Sequence, residues 1–203
     1  MMIRLDRQGE LWRVTINRPD KANSLARAML VELAEIAEDA NGKAKAFVLT
    51  GEGKVFSAGA DLDEARAGLA VDPVWERLSG AIAALPCLSI AALNGTLAGG
   101  AFGMALACDL RVCVPEAKFF YPVMKLGFLP QPSDPARMAA LIGPARAKLV
   151  LMGGAKLSAE QALDFGLVEA VVEREALQDH VESLCADVLS ADPEHISGIK
   201  GLF

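Results

Sequence analysis

Two glycine-bearing segments, Phe56-Ser57-Ala58-Gly59-Ala60-Asp61-Leu62 and Asn94-Gly95-Thr96-Leu97-Ala98-Gly99-Gly100-Ala101-Phe102-Gly103, hold the residues best suited to chemistry in this chain. Each reads as a strand or loop end that turns into the first turn of a helix. There the first backbone N–H groups have no partner inside the helix, and the helix dipole adds partial positive charge. Two such termini brought together aim two N–H groups at one oxygen, an arrangement that stabilises negative charge developing on a carbonyl. Glycine turns are common, so either segment alone says little. The two together, in this order, predict an enzyme with a backbone oxyanion hole.

The elements around them follow from hydrophobic period and turn chemistry. Leu11 to Asn17 roughly alternates and can pair with Met2 to Asp6 through Gln8-Gly9-Glu10. Leu25 to Ala40 places Leu25, Met29, Leu33 and Ile36 on one helical face, stopped by Asn41-Gly42. Short apolar runs at Ala46 to Thr50, Leu88 to Leu93 and Leu110 to Val114 read as buried strands. Asp61 with Glu64 three residues on resembles a capping box, and Ser158 with Gln161 repeats the pattern. Asp72-Pro73, Asp134-Pro135 and Gly143-Pro144 open further helices, and a last one runs from about Glu175 to Leu189. Strands alternating with helices predict an α/β fold with a mixed or parallel core sheet.

With 203 residues, 53% hydrophobic and 23% charged, the chain is long enough for one substantial core and is not of disordered composition. The net charge is -6 and aromatics are 5%, with no basic stripe, so nucleic acid is excluded as an expected partner. No charge falls between Leu78 and Cys108, but Pro86, Asn94-Gly95 and Gly99-Gly100 break that run into helix end, strand, turn and helix rather than a membrane span. The N-terminus carries Arg4, Asp6 and Arg7 instead of an apolar signal core, and a cytoplasmic location is expected. Cys87, Cys108, Cys113 and Cys185 lack CxxC spacing and read as buried reduced thiols. His180 and His195 both lie late, which gives no support to a zinc site or a Ser-His-Asp set.

Several blocks, in order, resemble the crotonase superfamily, also called the enoyl-CoA hydratase/isomerase family. They are Asn17-Arg18-Pro19-Asp20-Lys21-Ala22-Asn23-Ser24-Leu25, the two glycine segments, Ala107-Cys108-Asp109-Leu110-Arg111-Val112, Lys125-Leu126-Gly127-Phe128-Leu129-Pro130, and Leu157-Ser158-Ala159-Glu160-Gln161-Ala162 running into Gly166-Leu167-Val168. The resemblance implies an α/β spiral of ββα units with flanking helices, assembled as a homotrimer or dimer of trimers. Its substrate would be an acyl-CoA thioester, with no cofactor beyond that coenzyme A. It also implies that the amides of Ala60 and Gly100 hold the thioester oxygen, and that Lys21, Ala22, Leu25, Ala58, Asp61, Leu62 and Gly99 line the coenzyme A path. Read by themselves, Asp61 is equally a helix cap, Gly99 and Gly100 equally packing residues, and Lys21 equally a solvated lysine.

The chain departs from the family pattern where hydratases carry two glutamates, one a helical turn after the second oxyanion glycine and one after a proline. Those positions are Gly103 and Val123, and neither moves a proton. Tyr121, Lys125, Gln131, Ser133 and Asp134 fall on the stretch that forms the active-site wall in relatives. Of these, Tyr121 and Asp134 are the catalytic candidates, although a strand-edge tyrosine is commonly packing and Asp134-Pro135 is first a helix cap. Decarboxylation of a malonyl-type thioester or isomerisation is therefore expected over hydration, the alternative being a non-catalytic acyl-CoA-binding or assembly subunit. Residues 1–190 would form the acyl-CoA domain. Residues 191–203 would form a short tail in place of the family's helical extension, and its last residues Ile199-Lys200-Gly201-Leu202-Phe203 would pack on a neighbour or fray.

Overall fold

A computed structural model describes residues 1–203. The strands β1 (Ile3–Gln8) and β2 (Leu11–Ile16) form an antiparallel hairpin, turned at Gly9 with φ +63°. Then come α1 (Arg27–Ala40), β3 (Ala46–Gly51), β4 (Val55–Ser57), α2 (Leu62–Arg66) and α3 (Val74–Ala83). The next turn of chain is β5 (Leu88–Leu93), β6 (Thr96–Ala98) and α4 (Phe102–Ala107), followed by β7 (Leu110–Cys113), β8 (Lys118–Phe120) and α5 (Val123–Leu126). The remainder is α6 (Asp134–Ile142), α7 (Pro144–Leu151), β9 (Leu157–Ser158), α8 (Ala159–Phe165), β10 (Ala170–Val171), α9 (Leu177–Ser190) and α10 (Pro193–Lys200).

The strands divide between two sheets, in the orders β1-β2-β3-β5-β7-β10 and β4-β6-β8-β9. Successive pairs β3/β4, β5/β6 and β7/β8 each give one strand to each sheet before a helix follows, so the chain climbs as a spiral of ββα units. In the large sheet β2, β3, β5, β7 and β10 run parallel, and the apolar runs AFVL and IAAL are buried on both faces as such strands require. In the small sheet β4, β6 and β8 are parallel, with Ser57 opposite Leu97 and Leu97 opposite Phe119. Phe47, Phe56, Phe102 and Phe119 are among the largest fully buried side chains and fill the space between the sheets and helices.

The corners that connect the two sheets are braced by two buried asparagines. Asn94 accepts from the Gly51 amide at 3.0 Å and donates to the Gly53 carbonyl at 2.9 Å. Asn23 donates to the Glu52 and Val55 carbonyls at 2.9 and 2.6 Å. Gly95 is required by close approach, since a Cβ there would lie 2.0 Å from the Lys54 carbonyl oxygen.

Three local expectations change. The first long helix starts at Arg27, because Leu25 is spent on a parallel bridge to Ala60. Asp61 caps α2 by accepting from the Asp63 amide, but Glu64 does not close a capping box. Its carboxylate accepts from the Arg27 amide, so it starts α1 instead of its own helix. The small sheet itself was not foreseen, its strands being two or three residues long. Residues 193–200 of the expected short tail are helical, capped by Asp192 and tied down by Lys200, which donates to the Cys87 carbonyl and the Asp109 carboxylate. The capping box of Ser158 and Gln161 is present as expected, and all four cysteines are free and buried.

Candidate active site

Pairing of β4 with β6 sets the two glycine turns side by side. Gly59 at φ +90° and Gly99 at φ +57° both occupy the left-handed region. A Cβ on Gly59 would lie 2.9 Å from the Ala98 carbonyl oxygen and 3.4 Å from the Gly99 Cα, so the two turns touch backbone to backbone. The amides around Ala60 are committed: Ala58 donates to the Ala22 carbonyl at 3.0 Å, Gly59 to the Ser57 hydroxyl at 3.2 Å, and Asp61 to the Leu25 carbonyl at 2.9 Å. The amides of Ala60 and Gly100 donate to no group of the protein. Both residues line one cavity of about 130 Å³, whose walls include Ala58, Leu62, Trp75, Gly99, Tyr121 and Gln131 and no charged side chain. Two free N–H groups facing an apolar space can hold one anionic oxygen out of water.

Of the residues expected on a coenzyme A path, Ala58, Leu62 and Gly99 line this cavity. Lys21, Ala22, Leu25 and Asp61 form the strip beside it. Ala22 takes a left-handed conformation at φ 51° and accepts from the Ala58 amide. Leu25 is fully buried, so it serves the site through its backbone bridge to Ala60 and not through its side chain. The Asp61 carboxylate accepts from Arg18 at 2.9 Å and from the Asp63 amide at 3.1 Å, and the Arg18 guanidinium holds its carboxyl below the usual range. Lys21 is exposed. Arg18 also donates to the Ser24 carbonyl at 3.1 Å and so fastens the whole Asn17–Leu25 loop to the start of α2.

Tyr121 and Asp134 differ from their local readings. The tyrosine packs, but its hydroxyl is buried with it and is bonded inside the protein: the side chain is 3% exposed and its ring stacks on Phe102 with centroids 5.4 Å apart. Asp134 is not a cap. It lies inside the first turn of α6, whose cap position is Ser133, and its carboxylate is wholly buried. The Tyr121 hydroxyl donates to Asp134 Oδ2 at 2.9 Å and accepts from the Gln131 amide at 3.3 Å, while Asp134 Oδ1 has no partner. Gly103 makes the room. A Cβ there would stand 3.0 Å from Asp134 Oδ1, so the carboxylate of α6 lies against the bare backbone of α4. Burial, with Glu76 nearby, pushes the Asp134 carboxyl up to about 7 against the pull of Tyr121 and Arg137. Burial, followed by the Asp134 charge, raises the Tyr121 phenol as well. Tyr121 faces the cavity, and Asp134 stands behind it. Val123 lines the cavity as an apolar wall.

Sequence reasoning missed Trp75. Its indole N–H donates to the Leu69 carbonyl at 2.8 Å, and its ring would lie 3.3 Å from a Cβ on Gly100. A tryptophan near a helix start carries no chemical signal of its own, and only the packing of α3 on α4 brings it to the donor amide.

This spiral of ββα units superposes on solved enoyl-CoA hydratases. The structure from Bacillus anthracis superposes with a TM-score of 0.90 at 32% identity, over 99% of this chain and 81% of that one. A Thermobifida fusca YX protein solved in complex with CoA gives a TM-score of 0.90 at 29% identity, over 99% and 83% of the two chains. In sequence, the carnitinyl-CoA dehydratase of Citrobacter koseri is 34% identical over 206 residues, 97% of this chain and 78% of that protein. The enoyl-CoA hydratase/isomerase family model matches residues 6–203. The chain belongs to the enoyl-CoA hydratase/isomerase family.

Proposed function

We propose that this protein binds an acyl-CoA thioester, holds its carbonyl oxygen between the amides of Ala60 and Gly100, and stabilises the enolate formed there. The observation that carries the reading is that these two amides, free of protein partners, open onto one cavity without a charged wall. A neighbour of the same fold solved with CoA supports the ligand class. Each donor is worth about 3–4 kcal/mol of transition-state stabilisation. Lys21, Ala22, Leu25, Ala58, Asp61, Leu62 and Gly99 form the path for the coenzyme, with Lys21 toward its phosphates, and no cofactor beyond that coenzyme A is needed.

The chemistry we favour is decarboxylation or isomerisation rather than hydration, because Gly103 and Val123 stand where the two hydratase glutamates would be. In decarboxylation the bond between the α-carbon and the carboxylate breaks, its electron pair passes to the thioester enolate, and carbon dioxide leaves. The α-carbon then takes a proton. Tyr121 is the proton carrier that touches the cavity, and protonated Asp134 behind it returns a proton to the phenolic oxygen. Loss of carbon dioxide needs no protein base, and the Asp134 carboxyl, pushed up to about 7, is partly protonated at neutral pH and has a proton to give. A homotrimer or dimer of trimers in the cytoplasm is the assembly and location we infer. No helix is long and apolar enough to cross a membrane.

A second reading, a non-catalytic acyl-CoA-binding subunit, is favoured by the absence of any carboxylate on the cavity wall. Incubating the protein with methylmalonyl-CoA, crotonyl-CoA and a panel of other thioesters separates the readings. Release of carbon dioxide from methylmalonyl-CoA supports the first, and tight CoA binding without turnover supports the second. Robust hydration of crotonyl-CoA would refute the preference for decarboxylation or isomerisation.

A further inference from the structure

One wall of the cavity is built from side chains held in place by hydrogen bonds. Trp75 is 4% exposed and fixed through its indole N–H to the Leu69 carbonyl at 2.8 Å. Gln131 is 8% exposed and donates to the Ala70 carbonyl at 3.1 Å. These two wall residues therefore grip the same short turn, Leu69–Val71, from two sides. Leu69 itself is buried, which anchors that turn in the core. Tyr121 completes the wall, backed by the Phe102 ring and bonded to Asp134. The Trp75 ring lies directly over Gly100, so the wall stands beside the second donor amide rather than at a distance from it.

We propose that Trp75 is a specificity-determining residue that closes the acyl end of the site and restricts the protein to short acyl chains. The inference rests on the reading that the thioester oxygen sits between Ala60 and Gly100. The cavity of about 130 Å³ is small, and Ala58, Leu62 and Gly99 of the proposed coenzyme path line it too, so only part of it is left for the acyl chain on the Trp75 side of Gly100. A longer apolar chain has two routes within the fold: displacement of the indole, or passage beyond Val123, Phe128 and Leu129 into the neighbouring apolar groove of about 320 Å³ that these residues also line; otherwise it turns out past the exposed Leu126 and Leu129 into water, where its added carbons gain no burial. The first breaks the Trp75–Leu69 hydrogen bond and leaves its partners unpaired, a cost that disfavours it. The second needs the shared wall of Val123 and Phe128 to part.

The test is calorimetric binding of CoA, acetyl-CoA, butyryl-CoA and octanoyl-CoA to the full chain. Affinity should hold or rise from the acetyl to the butyryl ester and fall at least tenfold at the octanoyl ester. Trp75→Leu should bring octanoyl-CoA to within about threefold of butyryl-CoA. Because Trp75 is buried, a second variant guards against misfolding. Ala70→Leu adds bulk to the cavity at a half-buried position on the turn that Trp75 and Gln131 hold, and should weaken butyryl-CoA at least tenfold against acetyl-CoA while the thermal melt is unchanged. Equal binding of butyryl-CoA and octanoyl-CoA by the wild type overturns the proposal. So does an unchanged chain-length profile in folded Trp75→Leu or in Ala70→Leu. No binding of CoA or of any ester refutes instead the reading on which the proposal rests, and the proposal falls with it.

Discussion

Substituting Asp134→Asn removes the charge of a buried carboxyl while preserving its shape and its ability to accept the Tyr121 hydroxyl. In the folded protein this carboxyl titrates at about 7, against 3.8 for the free side chain. The sign follows from proton binding. Between about pH 4 and pH 7 the native state binds more protons than the unfolded state, so stability is full below that window and falls as pH rises through it. The shift of about three units corresponds to about 4 kcal/mol over the whole window, at ~1.36 kcal/mol per unit. From pH 5 to pH 9 about two of those units are crossed. The wild type should therefore lose about 3 kcal/mol that Asp134→Asn retains. Titration of every other group is shared by the two proteins and cancels in their difference. For a chain of this size that is a relative rise in Tm of about 6–12 °C for the variant between the two pH values. Urea denaturation of both proteins at pH 5 and pH 9, at one fixed protein concentration, measures it directly. A difference between variant and wild type that is the same at both pH values would refute the reasoning, since it would mean that the carboxyl ionises at its ordinary pKa despite its burial.

Two further outcomes follow from the same structure. Gly59→Ala places a Cβ 2.9 Å from the Ala98 carbonyl at φ +90°, and should cost at least about 2 kcal/mol in urea denaturation together with loss of acyl-CoA binding, because the two donor turns are forced apart. The four thiols are buried and held high by that burial, at about 11 for Cys87 and Cys185 and about 12 for Cys108 and Cys113. A chromogenic disulfide reagent at pH 8 should label none of them in the native protein and all four in urea, and fast labelling of any one in the native state would contradict the packing described.

Local signals carried much of the fold. The hairpin at Gly9, the apolar strands β3, β5 and β7, and the capping box of Ser158 and Gln161 depend on neighbours within a few residues. The two glycine turns were legible for the same reason. Long-range competition is where local reading failed. Leu25 satisfies a helical period but is taken by Ala60, 35 positions away, and Glu64 satisfies a capping box but is taken by the start of α1. Asp134-Pro135 is a good local cap, yet the carboxylate turns inward because Gly103 has vacated space on a different helix and Tyr121 offers it a donor. Neither the space nor the donor is visible within a window around Asp134. The small sheet escaped notice because strands of two or three residues show no period.

The register of that small sheet has a consequence for how many donors the site can hold. Counting forward from the paired residues Ser57, Leu97 and Phe119, the third residue along each stretch of chain is Ala60, Gly100 and Pro122. All three lie in the turns just past their strands, on three successive levels of the spiral, with β4 pairing β6 through a register shift. The first two carry a free N–H, and the third carries a ring nitrogen with no hydrogen to give. Proline ends the series, so the clamp proposed for the thioester oxygen has two rungs. Side chains around it can change with the substrate while the clamp persists, so long as glycine keeps the first two levels in contact.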